Sequence, residues 1–435
     1  MRLTSASLVS RRPPNTYWVL FALWLMVFSS SSQVVIISPI LPRIGEDLGI
    51  PTVLLGTLVT AYALMLSAFA LITGPISDKI GRRRILMIGC GFMSATLFLH
   101  GVADSYHSLL AVRALAGAAG GMLSGAAVSY VGDYFPYERR GWANGWVMSG
   151  IAFGQIIGIP LGTLLADMGS FRWPFLMFAV TMGAAVVLIW AKVPQPPVRL
   201  DPNRLSPWRA IVGYGRLLRQ RSTGFATLTY FLMFFGVGLY LIYLPAWLEG
   251  TLGISGKQIA SLFLVGGVAN VVMGPLAGRL SDQFGRKPLV ITSCLGLGAA
   301  MVATTYLIDG LWVAYPVFGF TMAMVAMRIS PLQSLLSALV ADERRGMLMS
   351  LAVAIGQVGI GISSGLAGLT FTRYGYLSNT LLAAAAMLLM ALLVWRGLPE
   401  PGRSTAPPQA GYAQGKAPHA APADAPGGPV DVTSG

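Results

Sequence analysis

Two basic stretches of this chain hold an acid in the same place, and both read as charge-assisted clusters. The first is Gly74-Pro75-Ile76-Ser77-Asp78-Lys79-Ile80-Gly81-Arg82-Arg83-Arg84. The second, Gly278-Arg279-Leu280-Ser281-Asp282-Gln283-Phe284-Gly285-Arg286-Lys287, repeats the order Gly, Ser, Asp, Gly, Arg and a further basic residue, 204 positions on. Gly74, Gly81 and Gly285 permit a tight turn and close backbone approach. An Asp at a helix end caps free N–H groups or pairs with Arg. A second repeated motif supplies the arginines: Glu138-Arg139-Arg140-Gly141 and Glu343-Arg344-Arg345-Gly346. An Asp near two Arg at helix ends forms a cluster that holds in one conformation and breaks in another, which is the chemistry of a latch.

Two more cations, Arg113 and Arg328, stand inside long apolar runs. An Arg at a bilayer centre costs about 2.5–3.5 kcal/mol on insertion scales and usually marks function. The plainer reading is an Arg satisfied by backbone carbonyls, above all Arg328 beside Pro331. Polar partners within the runs are Gln33, Gln155, Asn270, Gln333 and Gln357. Tyr230, Tyr240 and Tyr243, with Met322, Met324 and Met327, either line an adaptable apolar cavity or face lipid or core. None of the 16 Asp and Glu falls clearly in mid-run. Arg328 lies about 14 residues before Asp342, read as the end of its run. At 1.5 Å per residue that is roughly 21 Å, near or beyond the bilayer midplane. There it would bind an anion or polarise a proton-carrying group.

Covalent chemistry has no residue set here. Cys90 and Cys294 sit in apolar runs as small hydrophobes, and His100, His107 and His419 are scattered. Without a nucleophile–base pair, metal spacing or nucleotide loop, the expectation is no enzyme, no cofactor, no metal and no use of ATP.

The elements that must position these residues follow from composition. Of 435 residues 55% are hydrophobic and 11% charged, against roughly 25% charged in soluble domains. That deficit means a polytopic membrane protein. A net charge of +14 would suggest nucleic acid in a soluble chain; here the basic residues lie between apolar runs and set topology, so no nucleic-acid partner is expected. A span needs about 20 mostly apolar residues, and twelve such runs occur, near 17–40, 52–73, 85–103, 107–131, 143–166, 172–191, 223–247, 257–279, 288–307, 311–339, 347–371 and 377–396. Helices are the natural choice, since barrel strands are shorter and alternate.

Of the 30 Lys and Arg, Arg43, Arg172, Lys257 and Arg373 fall on one side, Arg113 and Arg328 within runs, and all others on the opposite side. The positive-inside rule then predicts both termini cytoplasmic. Arg11 and Arg12 precede a first run long enough to span and to be retained. The organisation expected is a cytoplasmic N-terminus at 1–16, a six-helix bundle at 17–191 and a cytoplasmic linker at 192–222. A second bundle at 223–396 and a disordered tail at 397–435 complete it. The linker is basic and Pro-bearing and expected partly along the membrane surface. The tail is rich in Pro, Ala and Gly. In the fifth run Gly150, Gly154, Gly158 and Gly162 share one helix face for close packing, and Pro160 should bend or loosen it. Gly359, Gly361, Gly365 and Gly368 make the eleventh run glycine-rich too, so helix contact between the halves is expected.

These motifs resemble the major facilitator superfamily, over nearly everything from Tyr17 to Arg396. The resemblance implies an all-α membrane protein, with twelve transmembrane helices in two six-helix bundles around a central cavity, and alternating access by rocking. It implies that Asp78 pairs with nearby Arg and with a helix of the other half. Arg113, Gly117 and Gly120 resemble the family's Arg motif, tied to proton transfer in proton-coupled members; Ala116 stands where those members often have Gln. Gly158-Ile159-Pro160 resembles the glycine-proline motif of drug antiporters, and the whole leans toward the drug and sugar efflux branch.

The expected function is secondary active transport, as proton-coupled efflux of small amphipathic organic molecules. The alternatives are uptake of an organic anion by symport, through Arg113 and Arg328, or a membrane ligand sensor. Expected partners are a small-molecule substrate, protons and the lipid bilayer, for a monomer in the plasma or inner membrane.

Overall fold

The computed structural model describes residues 16–196, 207–339 and 342–398. The expected cytoplasmic N-terminus, the first part of the linker and the disordered tail therefore lie outside the described residues, apart from a few at their edges. Among the described residues the chain is helical, with no strand. Twelve helices are long and apolar enough to cross a membrane. They run Thr16–Val35, Thr52–Gly74, Arg82–Val102, Tyr106–Tyr134, Glu138–Met168, Arg172–Lys192, Arg221–Leu252, Gly256–Phe284, Arg286–Leu307, Leu311–Leu336, Gly346–Tyr374 and Tyr376–Gly397. Each coincides with one of the twelve apolar runs. The end of the molecule carrying Arg82 and Arg286 is the basic face, the other end the opposite face.

Packing repeats between the halves. The first span packs on the fifth and sixth, the second on the fourth, and the third on the sixth. The seventh packs on the eleventh and twelfth, the eighth on the tenth, and the ninth on the twelfth. Adding six to each number converts the first set into the second. Two further packings, second on eleventh and fifth on eighth, join the halves and exchange under the same operation. Gly117 and Gly121 let the fourth span lie directly on the backbone of the second at Tyr62 and Leu66, where any side chain would strike. Large apolar side chains such as Trp173, Trp190, Trp312 and Trp395 point outward, as a hydrocarbon surround permits.

Several spans are less regular than apolar runs suggest. The basic stretch of the second span is helix rather than loop: the helix continues through Thr52–Ile80. Gly81 alone breaks it, at φ +99°, and the next helix starts at Arg82. Gly285 does the same at φ +97°. Such a backbone excludes most side chains, so one glycine replaces a loop. The first span stops at Val35 and a separate helix Ile37–Leu48 follows.

Pro160 loosens the fifth span. The five residues Gly154–Gly158 before it form a π-helical turn, which absorbs the ring by widening the ladder. The glycine stripe of that span lies against the first span: Gly150 on Trp24 and Phe28, Gly154 and Gly158 on Ser32, Gly162 on Ile36. It serves packing within the first half. The eleventh span divides its glycines, with Gly359 against Phe231 of its own half and Gly361 and Gly365 against Leu64 and Thr60 of the other.

The linker is not simply a surface strap. Its helix Pro207–Leu218 buries Tyr214 and Leu217 against Leu71 of the second span and Met347, Leu351 and Ile355 of the eleventh. The Tyr214 hydroxyl donates to the Leu71 carbonyl at 3.4 Å.

Candidate functional site

Arg113 is wholly buried in the first half. Its Nη1 donates to Gln33 Oε1 at 3.4 Å, and Gln33 Nε2 donates to the Tyr62 hydroxyl at 2.9 Å. The guanidinium carbon stands 4.5 Å from the Tyr62 ring centroid, a cation–π geometry. Nε and Nη2 have no hydrogen-bond partner, and nor does Nε2 of buried His100, whose Nδ1 pairs with the Thr96 carbonyl at 2.8 Å. Thus Arg113 is a cation held by an aromatic face and one amide, with two N–H groups in reserve.

Arg328 is equally buried but differently housed. It ends the helix Leu311–Met327 and precedes Ile329–Ser337. Those nine residues at 1.5 Å each place it about 14 Å from the basic-face end of its span, near the middle of a hydrocarbon core about 30 Å thick. Its Nη1 approaches Met387 Sδ at 3.2 Å and Nη2 the Met233 carbonyl at 3.5 Å, while Nε has no partner. Those partners belong to the twelfth and seventh spans, so Arg328 sits inside the second half-bundle. Arg113 and Arg328 do not share one pocket.

The remaining expected site residues scatter. Tyr240 is buried, its hydroxyl paired with Thr304 at 2.9 Å and its carbonyl accepting from the Tyr376 hydroxyl at 2.7 Å. Tyr230, Met322 and Met327 are buried in packing. Gln155, Asn270 and Gln357 are half-buried, and the Gln155 backbone lies against Gly267 of the eighth span.

Bonds between the halves gather toward the opposite face. The Tyr243 hydroxyl accepts from the Gly56 amide at 2.9 Å and donates to the Thr52 carbonyl at 2.8 Å. It is thereby threaded into the first turn of the second span, where free amides and carbonyls meet. Ser38 Oγ donates to the Leu241 carbonyl at 2.5 Å and Thr60 Oγ1 to the Gly361 carbonyl at 2.6 Å. Beside this seal a cavity of about 550 Å³ is lined by residues including Pro42, Glu46, Glu249, Thr251 and Phe371.

On the basic face Arg82, Arg83 and Arg140 make bonds within the first half. Arg82 Nε meets Asp133 Oδ2 at 2.6 Å and Arg82 Nη1 donates to Ser77 Oγ at 2.9 Å. Arg83 Nη2 donates to the Trp190 carbonyl at 2.6 Å, and Gln195 Oε1 accepts from the Arg83 amide at 3.1 Å. Arg140 Nε donates to the Phe135 carbonyl at 3.0 Å. Arg139 and Asp282 are exposed, and Lys287 Nζ donates to the Leu398 carbonyl at 3.0 Å beside Arg286. The side chains of Asp78, Arg344 and Arg345 lie outside the described residues, as does the latch expected of them.

Sequence reasoning missed Asp133, Tyr62 and Ser38. Asp133 stands five residues before Glu138, outside both repeats, and the second half has Ala338 at the corresponding offset. Tyr62 and Ser38 carry no motif, and only three-dimensional packing brings them to Arg113 and Leu241.

A family model described as Major Facilitator Superfamily matches residues 23–248 and 226–427. The uncharacterized MFS-type transporter YceJ of Bacillus subtilis is 24% identical over 390 residues, 89% of this chain and 97% of that protein. Multidrug resistance protein MdtG of Proteus mirabilis is 26% identical over 411 residues, 90% of this chain and 99% of that protein. The crystal structure of a D-xylose-proton symporter matches with a TM-score of 0.73 at 21% identity, over 88% of this chain and 98% of that one, a likeness of fold. With twelve spans, an internal repeat of six and a family match across most of its length, the chain belongs to the Major Facilitator Superfamily of membrane transporters.

Proposed function

We propose that the chain is a secondary active transporter that exports small amphipathic organic molecules in exchange for protons. The two half-bundles would rock about a central site. The observation that carries this is the seal: neutral hydrogen bonds from Tyr243, Ser38 and Thr60 join the halves toward one face. Bonds of about 1 kcal/mol each hold one conformation yet break within a transport cycle. The multidrug relative supports export, and Arg113 with Gln33 and Tyr62 is the proton-coupling group. Basic loops set both termini in the cytoplasm of a monomer in the plasma or inner membrane. Asp78, Arg82, Arg139, Arg140, Asp282, Arg286, Arg344 and Arg345 act as the conformational latch.

A second reading, uptake of an organic anion by symport, is favoured by one observation. Arg113 and Arg328 keep bare N–H groups while buried, and buried donors seek an acceptor.

The test is purified protein in liposomes with an imposed pH gradient and a panel of amphipathic cations, neutrals and anions. Gradient-driven movement of cations and neutrals against the proton flow is the expected result. Co-movement of anions with protons would replace it by the second reading. Equal flux with and without the gradient would remove proton coupling.

A further inference from the structure

The π-turn of the fifth span leaves one backbone group without its helical partner. The Ile159 amide donates to the Gly154 carbonyl. The next residue is Pro160, which has no N–H. The Gln155 carbonyl therefore loses its donor at both the fourth and the fifth residue onward. An orphan carbonyl at this depth is costly in lipid, and irregular backbone within a membrane is tolerated where it is buried in protein or lines a cavity.

The surroundings of this carbonyl are specific. It faces the seam between the fifth and eighth spans, near the middle of both. A methyl group built on Gly267 would stand 3.1 Å from the Gln155 oxygen. Glycine there keeps the approach open and offers a Cα–H, a weak donor that an O–H or N–H outcompetes. Asn270, three residues on, shares that face of the eighth span and is half-buried. Carbonyl, glycine gap and amide thus meet between the halves, where transporters of two repeats hold their substrates.

We propose that the Gln155 carbonyl, left without a helical donor by the π-turn and Pro160, is a substrate subsite that accepts a hydrogen bond from an O–H or N–H of the transported molecule. This rests on the transport reading above and adds the substrate class: amphipaths with at least one hydrogen-bond donor. The side chain of Gln155 is not the recognising group; its backbone is.

Two dyes differing only in donors test it: a rhodamine methyl ester with unsubstituted amino groups, and its tetra-N-methyl analogue. Binding to purified full-length protein is read by fluorescence anisotropy, and movement is read in liposomes. The parent should bind the N–H dye about tenfold more tightly, the effect of one net hydrogen bond. Pro160→Ala returns an amide hydrogen to the ladder, and should bring the ratio near one while leaving the methylated dye unchanged. Gly267→Ala lays a methyl over the carbonyl and should do the same. Gln155→Ala keeps the carbonyl and should keep the ratio. A ratio retained in both Pro160→Ala and Gly267→Ala, or lost in Gln155→Ala, overturns the subsite while leaving transport intact. A parent that neither binds nor moves either dye overturns the amphipath reading and the subsite with it.

Discussion

Arg328 rests on a thioether, a weak acceptor, and on a carbonyl at the outer range of hydrogen bonding, with Nε bare. A buried charge so thinly held is weak evidence for stability, and apolar replacements of similar volume are often neutral or stabilising by 1–4 kcal/mol. Arg328→Met should therefore raise the unfolding temperature in detergent. Its transport of polar or anionic substrates should fall, because the one cation of that half-bundle's interior is gone. Thermal unfolding and liposome flux on the same preparation check both parts; full flux across the panel would make Arg328 structural. The residue was conspicuous in the sequence because charge inside an apolar run is costly. Tyr62 was illegible for the opposite reason: a tyrosine among apolar residues costs little wherever it points.

Helices were the most legible elements, since runs of apolar residues between basic loops leave the backbone little choice. Their interruptions were not. Gly81 and Gly285 looked like parts of loops, yet each is a whole loop, because one left-handed residue turns the chain. The inserted Tyr243 hydroxyl was invisible in the sequence for want of any motif, and it is the clearest mechanical contact between halves. Tyr243→Phe removes two neutral hydrogen bonds at the first turn of the second span, a loss of about 1–2 kcal/mol. The equilibrium should shift roughly tenfold toward states open at the opposite face. A single reporter, Thr251→Cys in the adjoining cavity, measures this by its rate of labelling with an impermeant maleimide. Native Cys90 and Cys294 are fully buried and silent. An unchanged rate would reduce Tyr243 to a packing residue.

At the scale of the molecule, twelve spans with Lys and Arg gathered on one side lead the positive-inside rule to predict both ends of the chain in the cytoplasm. Reporters fused at Gly402, one active only in the cytoplasm and one only outside, should give signal from the first alone. Signal from the outside reporter alone would reverse the assigned orientation. The sixfold repeat was legible because its motifs recur at a fixed offset, yet recurrence of motif overstated the likeness of the halves. Arg82 is clamped by Asp133 at 2.6 Å, whereas Ala338 occupies the matching position in the second half. A charged strut therefore stiffens the first lobe at the basic face, and no acid stands at the matching offset of the second. Two levers of unequal rigidity do not flex together: the softer yields first under the same thermal agitation, so a strut peculiar to one lobe would give the stroke a starting side that the duplicated plan alone does not impose.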